Sequence, residues 1–256
     1  MVTDELEDKL RIGLKFIYVL PNFQNPTGST LSFERRLKLI ELAEKYGVPI
    51  IEDDPYGQLR YEGEHLPSLN VLDSQSRMQQ HCYSGNVIYL STFSKTLAPG
   101  LRLAWVIAPP EVIHKLVLGK QGTDLHTSTF NQIVAYEVAH GGFLDHHVKH
   151  IREVYHERRD AMLETLQEHM PDGVKWTHPQ GGLFLWVTMP EIIDTRELLA
   201  EAVKKKVAFV PGDSFYPCNS KKNNMRLNFS NATLEQINEG ISQLGQVTKT
   251  YLQNRG

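Results

Sequence analysis

Residues 87–102 read VIYLSTFSKTLAPGLR. The apolar run 87–90 is strand-like, and it stops abruptly at two hydroxyls, a Ser-Lys pair, a Pro-Gly turn and Arg102. That combination is unusual for a surface loop and raises the question of what Lys95 serves. Two apolar runs precede it: residues 16–20 lead into PNFQNPTG (21–28), and residues 48–51 lead into EDDPYG (52–57). A fourth run spans 103–107. Between the first two, Ser32 is placed to cap a helix running through Tyr46, with Phe33, Leu37, Ile40 and Ala43 on one face and Gly47 as its stop. Strands apolar on both faces and separated by a helix imply an α/β fold, a mostly parallel sheet with helices on both faces. Ligands of such sheets gather outside the carboxyl ends of the strands.

The second half has another texture. Residues 129–140 and 143–170 read as helices, the latter long enough to connect two domains. Strand candidates at 182–188, 207–210 and 225–229 alternate with a helix over 195–206 and a terminal helix from Thr233. This predicts a smaller α+β domain at 149–256 after a larger one at 1–148.

Composition narrows the function classes. The chain has 256 residues, 41% of them hydrophobic and 22% charged, enough to bury a sizeable core. A net charge of -3 argues against nucleic-acid binding, which needs a concentrated excess of Lys and Arg; the run Lys204, Lys205, Lys206 reads as a solvated helix face. No apolar run approaches membrane-spanning length, and the acidic start MVTDELEDKLRIG is no signal peptide, so a cytoplasmic protein is expected. Cys82 and Cys218 have no metal spacing and read as free thiols. His140, His146, His147 and His150 cluster at helical spacing, but without an acidic third ligand they read as a solvated face rather than a metal site. Trp105, Trp176 and Trp186 read as core or domain-contact residues.

The three strand ends carry the chemistry. Pro and Gly in PNFQNPTG set a tight turn presenting the amides of Asn22, Gln24 and Asn25. Three acids in EDDPYG are costly at the end of a buried strand unless they meet a cation, a metal or water. A magnesium site would use the carboxylates but not Lys95 and Arg102. A nucleotide site would want a glycine-rich phosphate loop, and neither standard pattern occurs. A phosphorylated aromatic aldehyde fits better. Arg102, Thr92 and Ser94 can grip its phosphate, Lys95 can condense with the aldehyde, and a carboxylate opposite a ring nitrogen makes the ring an electron sink.

NPTG at 25–28, Asp53 with Tyr56 three residues on, and STFSK with Arg102 seven residues after Lys95 resemble the class I/II, fold type I, pyridoxal-phosphate-dependent aminotransferases. YVLPNFQNPTGSTLSFERR, IIEDDPYGQLRY, PQGGLFLWV and MRLNFS are similar to the branch containing 2-aminoadipate and kynurenine aminotransferases. The resemblance implies the type I transferase fold, a homodimer and pyridoxal 5'-phosphate. It implies a Schiff base on Lys95, which then shuttles a proton, and Asp53 on the pyridinium nitrogen. Asn25 and Tyr56 are implied to bind the phenolic oxygen, with Thr92, Ser94 and Arg102 on the phosphate. Arg226, in MRLNFS, is implied to bind the substrate carboxylate beside Asn25. The turns at Gly181-Gly182 and VPGDSF (210–215) match segments that line the family's substrate pocket.

Family members are longer. A phosphate-binding helix start, a ring stacked on the cofactor and a tyrosine lent by the partner subunit are all implied to precede Met1, so the chain resembles the C-terminal two thirds of such an enzyme. The expected reaction moves the amino group of an L-amino acid of 2-aminoadipate, aromatic, branched or aliphatic type to a 2-oxo acid such as 2-oxoglutarate. Three rivals stand beside it: a lyase using the same cofactor, an aminotransferase-like sensor domain of a transcriptional regulator, and an inactive fragment. The regulators usually depart from NPTG at its first asparagine, which is present here as Asn25.

Overall fold

The computed structural model describes residues 3, 5–75, 83–218 and 221–255, so Cys82 lies outside the described residues. Two compact units divide the chain. Residues through Asn22 together with Thr30–His150 form the first, and Phe23–Ser29 with residues from Ile151 on form the second. The NPTG stretch therefore packs with the C-terminal unit and not with the strand that delivers it.

In the first unit, α1 (Leu6–Leu10), β1 (Ile17–Val19), α2 (Phe33–Tyr46), β2 (Ile50–Asp53), α3 (Leu69–Gln75), β3 (Val87–Thr92) and β4 (Ala104–Ile107) follow in order. The sheet runs β1-β2-β3-β4; the first three strands are parallel and β4 is antiparallel. The fold is α/β, as the alternation of strands and helix predicts. Ile17, Val19, Ile50 and Val87 pack against Leu39, Leu42 and Ala43 of α2 and Leu69 of α3, each at most 7% exposed. Helices α4 (Pro110–Thr123) and α5 (Thr129–Ala139) complete the unit, and α6 (Phe143–His169) begins in it and ends in the second.

Helix α2 keeps its expected limits. The Ser32 hydroxyl accepts from the Arg35 N–H, and Gly47 closes the helix in the left-handed region at φ 63°. Its buried face differs from the expected one. Arg36, Leu39, Leu42 and Ala43 are buried, while Phe33 and Leu37 are exposed. Arg36 can be buried because its guanidinium donates to the carbonyls of Leu31, Pro67 and Pro21 and to Asn22 Oδ1. The sheet's second face also departs from expectation, since Tyr18 and all of β4 carry exposed side chains. Trp105, read from the sequence as a core or domain-contact residue, is 37% exposed and packs against Phe93 with ring centroids 4.9 Å apart.

The second unit holds β5 (Lys175–Trp176), β6 (Phe184–Thr188), α7 (Thr195–Lys204), β7 (Val210–Pro211), β8 (Asn224–Asn228) and α8 (Leu234–Gln253). Its sheet is antiparallel in the order β5-β6-β8-β7, and α8 starts with a capping box between Thr233 and Gln236. Helix α7 stops at Lys204, two residues short of the expected limit, because Lys206 turns left-handed at φ 61°. Of the four clustered histidines, His140, His146 and His150 are exposed and His147 is half-buried against the Phe143 ring; His140 and His146 each contact a carbonyl of their own neighbourhood, Tyr136 O and Gly142 O. Among the described residues no helix is long and apolar enough to cross a membrane.

Candidate active site

The carboxyl ends of β2 and β3 lie side by side, with Asp53 opposite Leu90 and Thr92 two residues further along. The acids of EDDPYG alternate along the strand, so they separate onto opposite faces instead of gathering as a metal cluster. Glu52 points inward and accepts from the N–H groups of Leu69 and Asn70, both at 2.9 Å, at the start of α3. Asp54 accepts from Asn22 Nδ2 at 3.0 Å, and burial pushes its carboxyl above the usual range. Asp53 Oδ2 accepts from the Tyr18 hydroxyl at 2.5 Å. Burial and the Asp53 carboxylate push the Tyr18 phenol up, so Tyr18 stays a proton donor to Asp53. Tyr56 lies in the turn after β2 and is 5% exposed.

Beyond β3 the chain folds into a tight turn. Thr92 Oγ1 accepts from the Ser94 N–H at 3.1 Å and directs its own proton toward Ser94 Oγ and the Leu103 carbonyl, at 3.0 and 2.9 Å. Ser94 Oγ lies in this network with its hydroxyl available to a group beyond the turn. Lys95 follows in the same turn, partly buried, and its ammonium has no hydrogen-bond or ion-pair partner among the described residues. A 3-10 turn at Pro99–Leu101 returns the chain, Arg102 adopts φ 54°, and the Phe93 N–H donates to the Leu103 carbonyl at 3.1 Å. That return sets Arg102 beside the turn holding Ser94, with Arg102 Nη1 donating to Pro99 O at 3.1 Å.

In the second unit Arg226 lies on β8 between Trp186 of β6 and Val210 of β7. Its guanidinium sits 4.3 Å from the Phe184 ring centroid and 5.3 Å from that of Phe215, and Nη1 donates to Asn25 Oδ1 at 2.7 Å. Cation–π contact on two rings fixes the direction of the fork. The NPTG turn reaches Arg226 because glycines allow close approach. A Cβ on Gly28, at φ 69°, would come within 2.7 Å of the Phe184 carbonyl, and one on Gly182, at φ 77°, within 2.5 Å of Phe23 Cβ.

A family model described as aminotransferase class I and II matches residues 2–244. The chain belongs to that family. Aromatic-amino-acid aminotransferase 1 of Thermococcus litoralis is 48% identical over 97% of this aminotransferase-family chain and 59% of its own length. The crystal structure of Pyrococcus horikoshii kynurenine aminotransferase superposes with a TM-score of 0.91 at 46% identity, covering 98% of this chain and 62% of that one. LysN, the alpha-aminoadipate aminotransferase of Thermus thermophilus, does so at 0.92 and 38%, covering 99% and 64%. The chain thus spans about three fifths of the length of the curated relatives it matches, on the 59% and 61% of the first two. The fold is that of the type I aminotransferases.

Sequence reasoning did not find Tyr18, Glu52 as an anchor, or the two rings around Arg226. Tyr18 alternates outward on β1 and meets Asp53 only because β1 and β2 pair in register Tyr18 to Ile51. Glu52 yields a test. Burial pushes its carboxyl from 4.5 up to about 7, against the pull of the Asn70 and Leu69 N–H groups. A carboxyl raised in the folded state stabilises below the unfolded value and loses that contribution as pH climbs through the folded one. Between pH about 4.5 and about 7 the loss amounts to roughly 3 kcal/mol. Urea denaturation across that range should show the fall in wild type, and Glu52→Gln should remove it; equal slopes would contradict the burial argument.

Proposed function

We propose that this chain carries the chemistry of a pyridoxal-phosphate-dependent aminotransferase, with residues 1–148 as the larger cofactor-binding part and 149–256 as the small domain. The observation that carries the reading is the pair of adjacent strand ends: Asp53, engaged by Tyr18, beside a turn that offers Ser94, Lys95 and Arg102. The cofactor's donor and acceptor requirements match these residues. A phosphate takes the Ser94 hydroxyl and the Arg102 fork, with Thr92 orienting Ser94. A protonated ring nitrogen takes a carboxylate, and Asp53 Oδ1 has no partner among the described residues while Oδ2 is engaged. An aldehyde takes a primary amine, which Lys95 supplies.

When bound, pyridoxal phosphate supplies an electron sink that makes the substrate α-proton acidic. Lys95 Nζ would hold the cofactor through its aldehyde, and its amine would be the group that accepts and returns the substrate's α-proton. Asp53, whose Oδ2 accepts from Tyr18, would face the ring nitrogen, where a carboxylate favours the protonated form. Tyr56 and Asn25 are assigned to the phenolic oxygen, and Arg226 with Asn25 to the substrate α-carboxylate. The two rings around Arg226 support that role, since a fork held in direction reads a carboxylate bidentately.

The relatives' names support 2-aminoadipate, aromatic amino acids and kynurenine as substrates; branched or aliphatic amino acids, and 2-oxoglutarate as acceptor, are proposed beside them on the family resemblance alone. A homodimer is supported by Phe130, Ile133 and Tyr136, a stripe on α5 that is more than half exposed. A cytoplasmic location is supported by Cys218, an exposed free thiol. With pyridoxal phosphate, L-2-aminoadipate and 2-oxoglutarate added, glutamate should form in proportion to both substrates. Ammonia release without any oxo acid would favour the lyase, and neither product would overturn the assignment.

A further inference from the structure

A cavity of about 480 Å³ opens in the second unit between α6, α8 and the segment after α7. Its floor is apolar, formed by Met162, Leu227, Ile237 and Ile241, each at most 5% exposed. Its rim carries Lys205 and Lys206, and neither ammonium has a hydrogen-bond or ion-pair partner among the described residues, whereas neighbouring Lys204 is engaged by Glu201.

Two backbone choices at this cavity run against helix stability. Gly240 lies inside α8, where alanine is the better helix former, and a Cβ there would meet nothing within 4 Å. Gly245 of the same helix has a packing reason, because its Cβ would come within 2.6 Å of the His169 carbonyl. Gly240 has none and simply leaves the cavity open. Lys206 ends α7 in the left-handed region at φ 61°, with its N–H on the Val203 carbonyl and the Val207 N–H on Ala202. Glycine is the usual residue at that position, so a lysine there bears strain that its side chain must justify.

We propose that this cavity is a binding site for an amphipathic monocarboxylate, its hydrocarbon part on the apolar floor and its carboxylate at Lys205 and Lys206. The volume lies in the range of small-molecule sites, and the one acid on the lining, Glu239, is exposed and outnumbered by the two lysines. Neither Lys95 nor Arg226 is among the lining residues, and the proposal does not depend on the proposed reaction.

Isothermal titration of the full chain with octanoate tests it, with 1-octanol and octylammonium as controls. Octanoate should bind saturably at one site, and the two controls should bind at least about tenfold more weakly, a difference of ~1.4 kcal/mol. Lys206→Gly suits the left-handed backbone and should fold as well as wild type while losing about tenfold or more in octanoate affinity. Gly240→Leu fills the opening and should abolish binding while thermal stability is kept or raised. Glu239→Gln should strengthen binding. Arg226→Ala should leave it unchanged. Equal binding of octanol, undiminished binding to Gly240→Leu, loss of binding in Arg226→Ala, or no heat beyond dilution would each overturn the proposal.

Discussion

Alanine in place of Lys95 is expected to lower amino transfer at least about 10³-fold, because in the proposed reaction Lys95 is both the nucleophilic amine and the group that moves the α-proton. The fold should survive. Lys95 is only partly buried, and its side chain holds no hydrogen bond or ion pair among the described residues, so truncation removes little packing and leaves no buried partner unsatisfied. Melting temperature and urea midpoint should stay close to wild type while activity disappears. A covalent readout separates this from a general loss of cofactor. Borohydride reduction after incubation with pyridoxal phosphate should fix one adduct on wild type, map it to the peptide containing Lys95, and fix none in Lys95→Ala. Lys95→Arg keeps the charge but cannot act as the amine, and should be as inactive as alanine. A Lys95→Ala variant within tenfold of wild type, or an adduct mapping elsewhere, would sink the assignment.

Arg226→Ala should have the next largest effect, of a different kind. A guanidinium that forks onto a carboxylate contributes to the binding of every amino acid and oxo acid alike, since all share that group. Truncating one partner of such a pair costs roughly 2–5 kcal/mol, so kcat/KM should fall about 10²-fold or more, mostly through KM. Arg226→Lys keeps the charge and loses the fork and the ring contacts at Phe184 and Phe215, and should recover only part of the loss. The hydrogen bond to Asn25 Oδ1 gives a structural alternative: Arg226 could serve only to hold the NPTG turn. In that case both variants would lose thermal stability in step with activity. Loss of substrate affinity with an unchanged melting temperature distinguishes substrate binding from turn anchoring, and a fall in kcat at constant KM would remove Arg226 from the substrate's carboxylate.

Much of this molecule was legible along the chain because the signals are local. Ser32 and Gly47 mark both ends of α2 through the backbone groups that a helix leaves unpaired at its termini, and those rules need no tertiary partner. Apolar runs that end in polar clusters located β1, β2 and β3, and the rule for the carboxyl ends of parallel strands turned the clusters into one candidate site. Helix α4 escaped because Gly119, Gly122 and four β-branched residues, Val112, Ile113, Val117 and Thr123, weaken its local signal, and α3 because it is only seven residues long.

By itself, then, the sequence determined the α/β class, the helix caps and the residue types that pyridoxal phosphate chemistry calls for at two neighbouring strand ends. Tertiary structure decided which face of α2 is buried, because four acceptors from three segments make an interior Arg36 tolerable. It decided that Tyr18 holds Asp53, because the register of Tyr18 on Ile51 brings within reach two side chains 35 residues apart in sequence. It also decided that Phe23–Ser29 packs with the second unit, because Gly28 and Gly182 let two backbones come closer than any side chain would allow. Each of those outcomes depends on contacts between distant residues, and no local propensity encodes which distant residue will be there.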